Sequence, residues 1–368
     1  MCNVATMKSF RESIMKVLYK KSADVIPFAP YDNLIPRGTF ERKLRNRGMG
    51  LCHRHPLYWT ETPDVRTEHW IQNGIEYTIY KTPVGNVSTS RKIYVGRIAD
   101  GGAIYVERMI KDKKDYEPVI YMLDNTVFHD NYEDFLNAVR DYGNDGIVRG
   151  EGIGPPYDLL SETSFDYFGQ IKWALEQRVN FNDFRKLLDA LERYNERAWP
   201  IVVNSPADFV SLGELSGLYG PNEFRTYCLP FYKRYVPQLK NKGKICSIHA
   251  HALNLKAFKE VIAETEVDVV EAFTPPPVGN LSITEARAAW GSNVVIWLNF
   301  PETVFYQGPE KTKQYTISLL KSDVGNPLVI GFTEMGLYGI KDKTTELFFK
   351  RGFEAIMSAI EDFSEKEL

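Results

Sequence analysis

From about residue 131 to its C-terminus the chain repeats one local pattern: a short apolar run, a loop, then an amphipathic stretch long enough for a helix. Parallel strands need long crossovers to return to the same side of a sheet, so this rhythm restricts the fold to a helix-covered parallel sheet. Gly146–Glu151 opens the series, and Asp208–Glu214, Lys244–His249, Val267–Phe273, Val294–Phe300 and Pro327–Glu334 continue it. Helical stretches begin near Phe181, Pro221, Asn254 and Ser282, where Ser282 and Glu285 have capping-box spacing. Two earlier runs, Val25–Pro30 and Gly50–His55, bring the strand count to eight. An open doubly wound sheet would share the alternation, but no GxGxxG follows the first strand. The expected fold is therefore of the α/β class, a (β/α)8 TIM barrel closed by eight strands.

The first third reads differently. Met1 to Lys21 has the pattern of an amphipathic helix, and between Gly74 and Lys111 strand-like alternation is broken by turn residues at Thr82–Asn86 and Gly101-Gly102. That stretch is expected to be an antiparallel hairpin insertion at residues 74–111 within a single barrel domain spanning residues 1–368. A net charge of −3 gives no excess of cations to neutralise phosphates or anionic headgroups. No apolar run reaches the roughly 18 residues of a spanning helix. Neither nucleic acid nor membrane is expected as a partner, and the expected location is the cytoplasm. Cys2, Cys52, Cys228 and Cys246 are far apart with no CxxC pair, which argues against both a disulfide framework and a thiolate zinc knuckle.

In a parallel barrel the chemistry gathers at the C-terminal ends of the strands. Here those ends carry Asp32, His53 and His55, Glu151, Glu214, His249 and His251, Glu271, Asn299 and Glu334. Residues at i and i+2 on extended chain share a side, so His249-Ala-His251 can present two imidazoles to one centre, for a metal or for proton transfer. Either histidine can equally be a hydrogen-bonded core residue. His53-Arg-His55 has the same spacing but precedes Pro56 and aromatic residues, and reads as a wall or loop. Glu214, between Gly213 and Gly217, is either an acid at the site or a helix N-cap; Glu334 is either a ligand or half of a salt bridge. Glu271 can be layered inside the barrel. Tyr31, Phe273 and other aromatic residues near strand ends can enclose a flat substrate. The Thr274–Gly279 loop, rich in proline, is expected in polyproline geometry. Neither GxSxG, nor a P-loop, nor a Cys-His nucleophile pattern occurs.

The succession Ser205–Glu214, Gly220–Pro230, Ile248–His251, Val267–Phe273 and Asn299–Pro301 resembles the uroporphyrinogen decarboxylase superfamily, from about Gly146 to the C-terminus and more weakly before it. That resemblance implies a (β/α)8 barrel. It covers both porphyrin decarboxylases and corrinoid-linked methyltransferases acting on methanol, methylamines, chloromethane and aryl methyl ethers. The decarboxylases carry an arginine-glycine stretch after the first strand that binds substrate carboxylates. The corresponding Phe28–Arg37 lacks it.

The methyltransferase branch is the closer likeness. It places zinc at an HxC motif on the strand matching Lys244–His249, with a third ligand from the last strand. His249 matches the histidine, His251 stands in place of the cysteine, and Glu334 lies near the last ligand. The implied Zn2+ site is His249, His251 and Glu334, with Glu214 and His251 as catalytic residues and Tyr31, Asp32, Glu151, Glu271, Phe273 and Asn299 around the substrate. Two imidazoles and a carboxylate would leave zinc more electrophilic than thiolates do, suited to polarising an ether or alcohol oxygen. The implied activity is methyl transfer from a small methylated or methoxylated compound to a corrinoid carried by a separate protein. A second copy of the chain is a further candidate partner. The rival readings are a metal-free lyase or decarboxylase, and a non-catalytic binding barrel.

Overall fold

The computed structural model describes residues 9–20, 26–93, 103–161, 167, 170–215, 217–251, 254–333 and 342–367. Eight strands form its central sheet: β1 (Phe28–Pro30), β2 (Leu51–Pro56), β3 (Gly146–Glu151), β4 (Phe209–Glu214), β5 (Ile245–His249), β6 (Val269–Phe273), β7 (Val295–Leu298) and β8 (Leu328–Phe332). All adjacent pairs are parallel, in the order β1-β8-β7-β6-β5-β4-β3-β2. The two ends of this series meet at a parallel bridge between Tyr31 and Cys52, and the Gly50 amide donates to the Phe28 carbonyl at 3.0 Å. An eight-stranded parallel sheet whose edges meet, with helices between its strands, is consistent with the expected barrel.

The helices form where periodicity and caps agree. Phe181–Asn204 buries Phe184, Leu187, Leu188, Leu191, Ala198 and Val202, a stripe at helical spacing whose larger members are each worth about 1.5–3 kcal/mol when fully buried. Asn195 on the same face donates from Nδ2 to the Gly154 carbonyl at 2.8 Å, so this helix holds down the loop after β3. Ile283–Trp290 starts with the Ser282/Glu285 capping box its sequence indicated. Inside the sheet, Phe209 of β4 and Trp297 of β7 stack with ring centroids 5.9 Å apart, filling the lower interior with apolar surface.

Two expectations change, and the N-terminal helix holds. The insertion is a four-stranded antiparallel sheet (Arg66–Gln72, Ile75–Thr82, Gly85–Ile93, Ala103–Glu107), which begins eight residues before Gly74; that glycine instead occupies the first turn, at φ +74°. A separate antiparallel pair, Tyr58–Glu61 with Val127–Asp130, flanks it. Within Met1 to Lys21 the described helix is Phe10–Leu18, and its capping box is Ser9 with Glu12. The Thr274–Gly279 loop contains a cis peptide between Pro276 and Pro277, unlike the all-trans polyproline helix. Among the described residues no helix is long and apolar enough to cross a membrane.

Candidate active site at the strand ends

Strand alternation sorts the polar residues into those that face the barrel axis and those that do not. Tyr31, Arg149, His249 and Glu271 face inward and form one buried layer; Tyr31 and Glu271 are 0% exposed, Arg149 2% and His249 5%. The Arg149 guanidinium pairs closely with Glu271 and donates to Tyr31 Oη at 2.9 Å. It also donates through Nε and Nη2 to Glu151 Oε1 at 3.0 and 2.7 Å. Tyr31 Oη donates to Glu271 Oε1 at 2.8 Å and lies 3.2 Å from His249 Nδ1. Glu271 Oε2 is 3.7 Å from the same nitrogen. The Arg54 guanidinium covers the Tyr31 ring at 4.6 Å, a cation-π contact. Burial pushes the Tyr31 phenol well above its ordinary range and the Cys52 thiol up to about 12, in both cases against the opposing pull of Arg149.

Backbone irregularities on both neighbours of β5 aim the next groups. The register between β4 and β5 shifts between Ser211 and Glu214, with Gly213 at φ +81°. A Cβ at Gly213 would stand 2.6 Å from the Gly154 Cα, so glycine is required both by the left-handed backbone and by this close approach of two loops. The shift sets Glu214 opposite His249 and brings Glu214 Oε2 to 3.6 Å from His251 Nε2. The His249 and His251 rings are 5.4 Å apart, centroid to centroid. On the other side, Ala272 at φ +56° interrupts the alternation of β6. Glu271 therefore faces inward while Phe273, fully buried, packs edge-on against Trp290 of the helix Ile283–Trp290.

A cleft of about 250 Å³ opens beside this group, lined by Tyr58, Glu151, Asp158, Tyr194, Ser211 and Glu214 among others. Glu214 is the residue it shares with the histidine pair. Asp158, which sequence reasoning missed, is buried at its wall, and the Tyr219 hydroxyl donates to it closely. Burial pushes its carboxyl up to about 7, outweighing the hydrogen bonds from Tyr219 and Cys228, with the Glu214 charge adding to the rise. Nothing in Pro155-Pro156-Tyr157-Asp158 separates this acid from an ordinary first-turn residue. A second cleft, about 280 Å³, lies between residues 34–40 and Glu346–Phe353 and contains none of these inward groups.

The site residues expected from sequence thus divide. His249, His251, Glu214, Glu271, Tyr31 and Glu151 come together, with Tyr31 and Glu271 beneath the mouth rather than on its surface. Asp32 is bound up elsewhere: it accepts from Tyr142, lies 3.1 Å from His53 Nδ1 and 3.8 Å from Arg37, and these partners outweigh its burial to hold its carboxyl below the usual range. His53 and His55 turn outward, onto Tyr142 and Phe135, which accords with the wall reading. Asn299 bridges loops, donating to Thr274 Oγ1 at 3.1 Å and accepting from the Thr333 amide at 3.0 Å. Phe273 faces the helix layer. Glu334 lies outside the described residues. Among the described residues no group of three or more His, Cys, Asp or Glu side chains is arranged to hold a metal ion.

No protein-family model matches the chain, and no curated protein matches its sequence. Solved structures do: one of them, a methyltransferase from Methanosarcina mazei, aligns over 96% of this chain and 99% of its own with a TM-score of 0.55 at 13% identity. At that identity the likeness establishes a shared fold.

Proposed function

We propose that the chain is an enzyme that removes a methyl group from a small methylated or methoxylated compound and passes it to the corrinoid of a separate protein. The observation that carries this reading is the grouping of His249, His251 and Glu214 at the strand ends, beside a cleft sized for a small molecule. The fold shared with a solved methyltransferase and the sequence resemblance supply the reaction class. Methyl transfer from oxygen or nitrogen leaves a basic heteroatom, which needs a proton in or after the transition state. Glu214, 3.6 Å from His251 Nε2, stands where it can deliver one, and Tyr58 and Tyr194 line the cleft in which the rest of the donor would lie. Arg149 is already neutralised by Glu271 and Glu151, which disfavours a polycarboxylate substrate.

Zn2+ bound by His249, His251 and Glu334 belongs to the proposal, where it would polarise the heteroatom that bears the methyl group. The described residues do not by themselves complete such a centre. Purified protein incubated with reduced corrinoid and a panel of methyl ethers and methylamines tests the reading: methylcorrinoid should form with wild type and fall at least about a hundredfold in His251→Ala and Glu214→Gln. Elemental analysis tests the zinc, with loss expected in His249→Ala. Absence of methyl transfer across the panel overturns the assignment. A second reading, a proton-transfer lyase, is favoured by Asp158, whose carboxyl titrates near neutrality at the cleft wall. Substrate loss with no methyl acceptor present would select it.

A further inference from the structure

We infer that Tyr31, Glu271 and Arg149 form a positioning relay that fixes His249 as its Nδ1–H tautomer, so that Nε2 is the ring nitrogen carrying the lone pair at the barrel mouth. The reading follows from counting hydrogens. Tyr31 Oη has three neighbours: Arg149 Nη1 at 2.9 Å, Glu271 Oε1 at 2.8 Å and His249 Nδ1 at 3.2 Å. Arginine can only donate and an ionised carboxylate can only accept. Arg149 pairs closely with Glu271, so the carboxylate faces a guanidinium that can only donate to it.

The single phenolic hydrogen must therefore point at Glu271. Were it turned to His249, the carboxylate and phenolic oxygens would face each other lone pair to lone pair at 2.8 Å, in a layer with no water exposure to relieve them. With that hydrogen committed, Tyr31 offers His249 a lone pair. Glu271 Oε2, 3.7 Å from Nδ1, is an acceptor too. Tyr31 Oη and Glu271 Oε2, at 3.2 and 3.7 Å from Nδ1, both call for a proton there, and the neutral ring then keeps its basic lone pair on Nε2.

Tyr31 and Glu271 are thereby removed from the list of substrate contacts and become residues that act through His249, in the way that buried acceptors orient catalytic and metal-binding imidazoles in general. The inference deepens the methyl-transfer reading by naming what prepares His249, yet the tautomer itself is a property of the resting protein. Full-length protein with 15N-labelled histidine, treated with chelator, is measured by two-bond 1H–15N correlation near pH 8, with His249→Gln identifying the His249 signals. The Nδ1–H pattern is expected in wild type. Tyr31→Phe removes the acceptor and should give a mixture. Glu271→Gln should drive the ring to Nε2–H, because the new amide donates to Tyr31 and frees the phenolic hydrogen for Nδ1. An Nε2–H pattern in wild type, or an Nδ1–H pattern unchanged in both variants, overturns the relay. If either variant does not fold, the wild-type pattern alone decides. Activity is not the readout, so a chain that transfers no methyl group but shows the Nδ1–H pattern would refute the functional reading and uphold this one.

Discussion

Replacing Arg149 by methionine is the most informative single perturbation of the buried layer. The guanidinium is 2% exposed and Glu271 is 0% exposed, so removing the cation leaves a carboxylate inside the barrel that, among the described residues, keeps the hydrogen bond from Tyr31 Oη at 2.8 Å. Breaking a buried pair from one side costs about 3–5 kcal/mol, most of it the burden of the remaining charge. Loss of the 2.9 Å bond to Tyr31 is included in that figure. Glu151, the other partner, is 36% exposed at its side chain and can turn to water, so it adds little. Arg149→Met should therefore lose about 3–5 kcal/mol in urea unfolding followed by tryptophan fluorescence, with circular dichroism as a second probe for coincidence of the transitions. The matched double variant, Arg149→Met with Glu271→Met, removes both charges and keeps roughly the volume. It should return to within about 1–2 kcal/mol of wild type, giving a coupling energy of several kcal/mol. A loss below about 1 kcal/mol in the single variant, or a double variant no better than the sum of the singles, would refute the account of a charge-compensated layer.

Asp158 gives a pH test. Its folded-state pKa is raised to about 7 from 3.8, so the folded protein binds a proton that the unfolded chain releases, and stability through this group falls as pH rises from about 4 to 7. The shift corresponds to about 4 kcal/mol, and Asp158→Asn should flatten this slope when urea midpoints are compared at pH 5 and 8. Gly213→Ala combines a left-handed backbone with a 2.6 Å approach to Gly154 and should cost about 2–4 kcal/mol. A loss within 0.5 kcal/mol would show that the bulge does not require glycine. Cys52, Cys228 and Cys246 are buried and burial raises all three thiols, so a thiol reagent at pH 8 should reach at most one of the four cysteines before unfolding. Fast labelling of two or more in native buffer would contradict the closed interior.

Eight strands were legible in the sequence because each is an apolar run ended by a polar group and followed by a helical stretch. Arg66–Gln72 was not, since nearly every residue in it is exposed and no alternation marks it. Within the site, the His249 and His251 spacing and the acid at Glu214 could be read directly. Arg149 could have been found: a charge two residues from the end of a mostly apolar parallel strand must be paired if that strand is buried, and Glu151 at that end was the visible clue. The direction of Phe273 could not, because it depends on a positive φ at Ala272, a residue type that gives no hint of one. Asp32 misled for a related reason. Position after a strand does not say whether a side chain turns to the axis or, as here, to a helix carrying Tyr142.

Tyr31 has two attachments that connect the order of synthesis to the readiness of the site. Its backbone closes the sheet against Cys52 and donates to the Phe332 carbonyl at 2.9 Å, while its side chain reaches His249. The last strand made is thus the one that clamps the first. A chain ending before Leu328 would already hold Arg149, His249, His251 and Glu214, yet it would lack the Phe332 carbonyl that holds the Tyr31 backbone on the side away from Cys52.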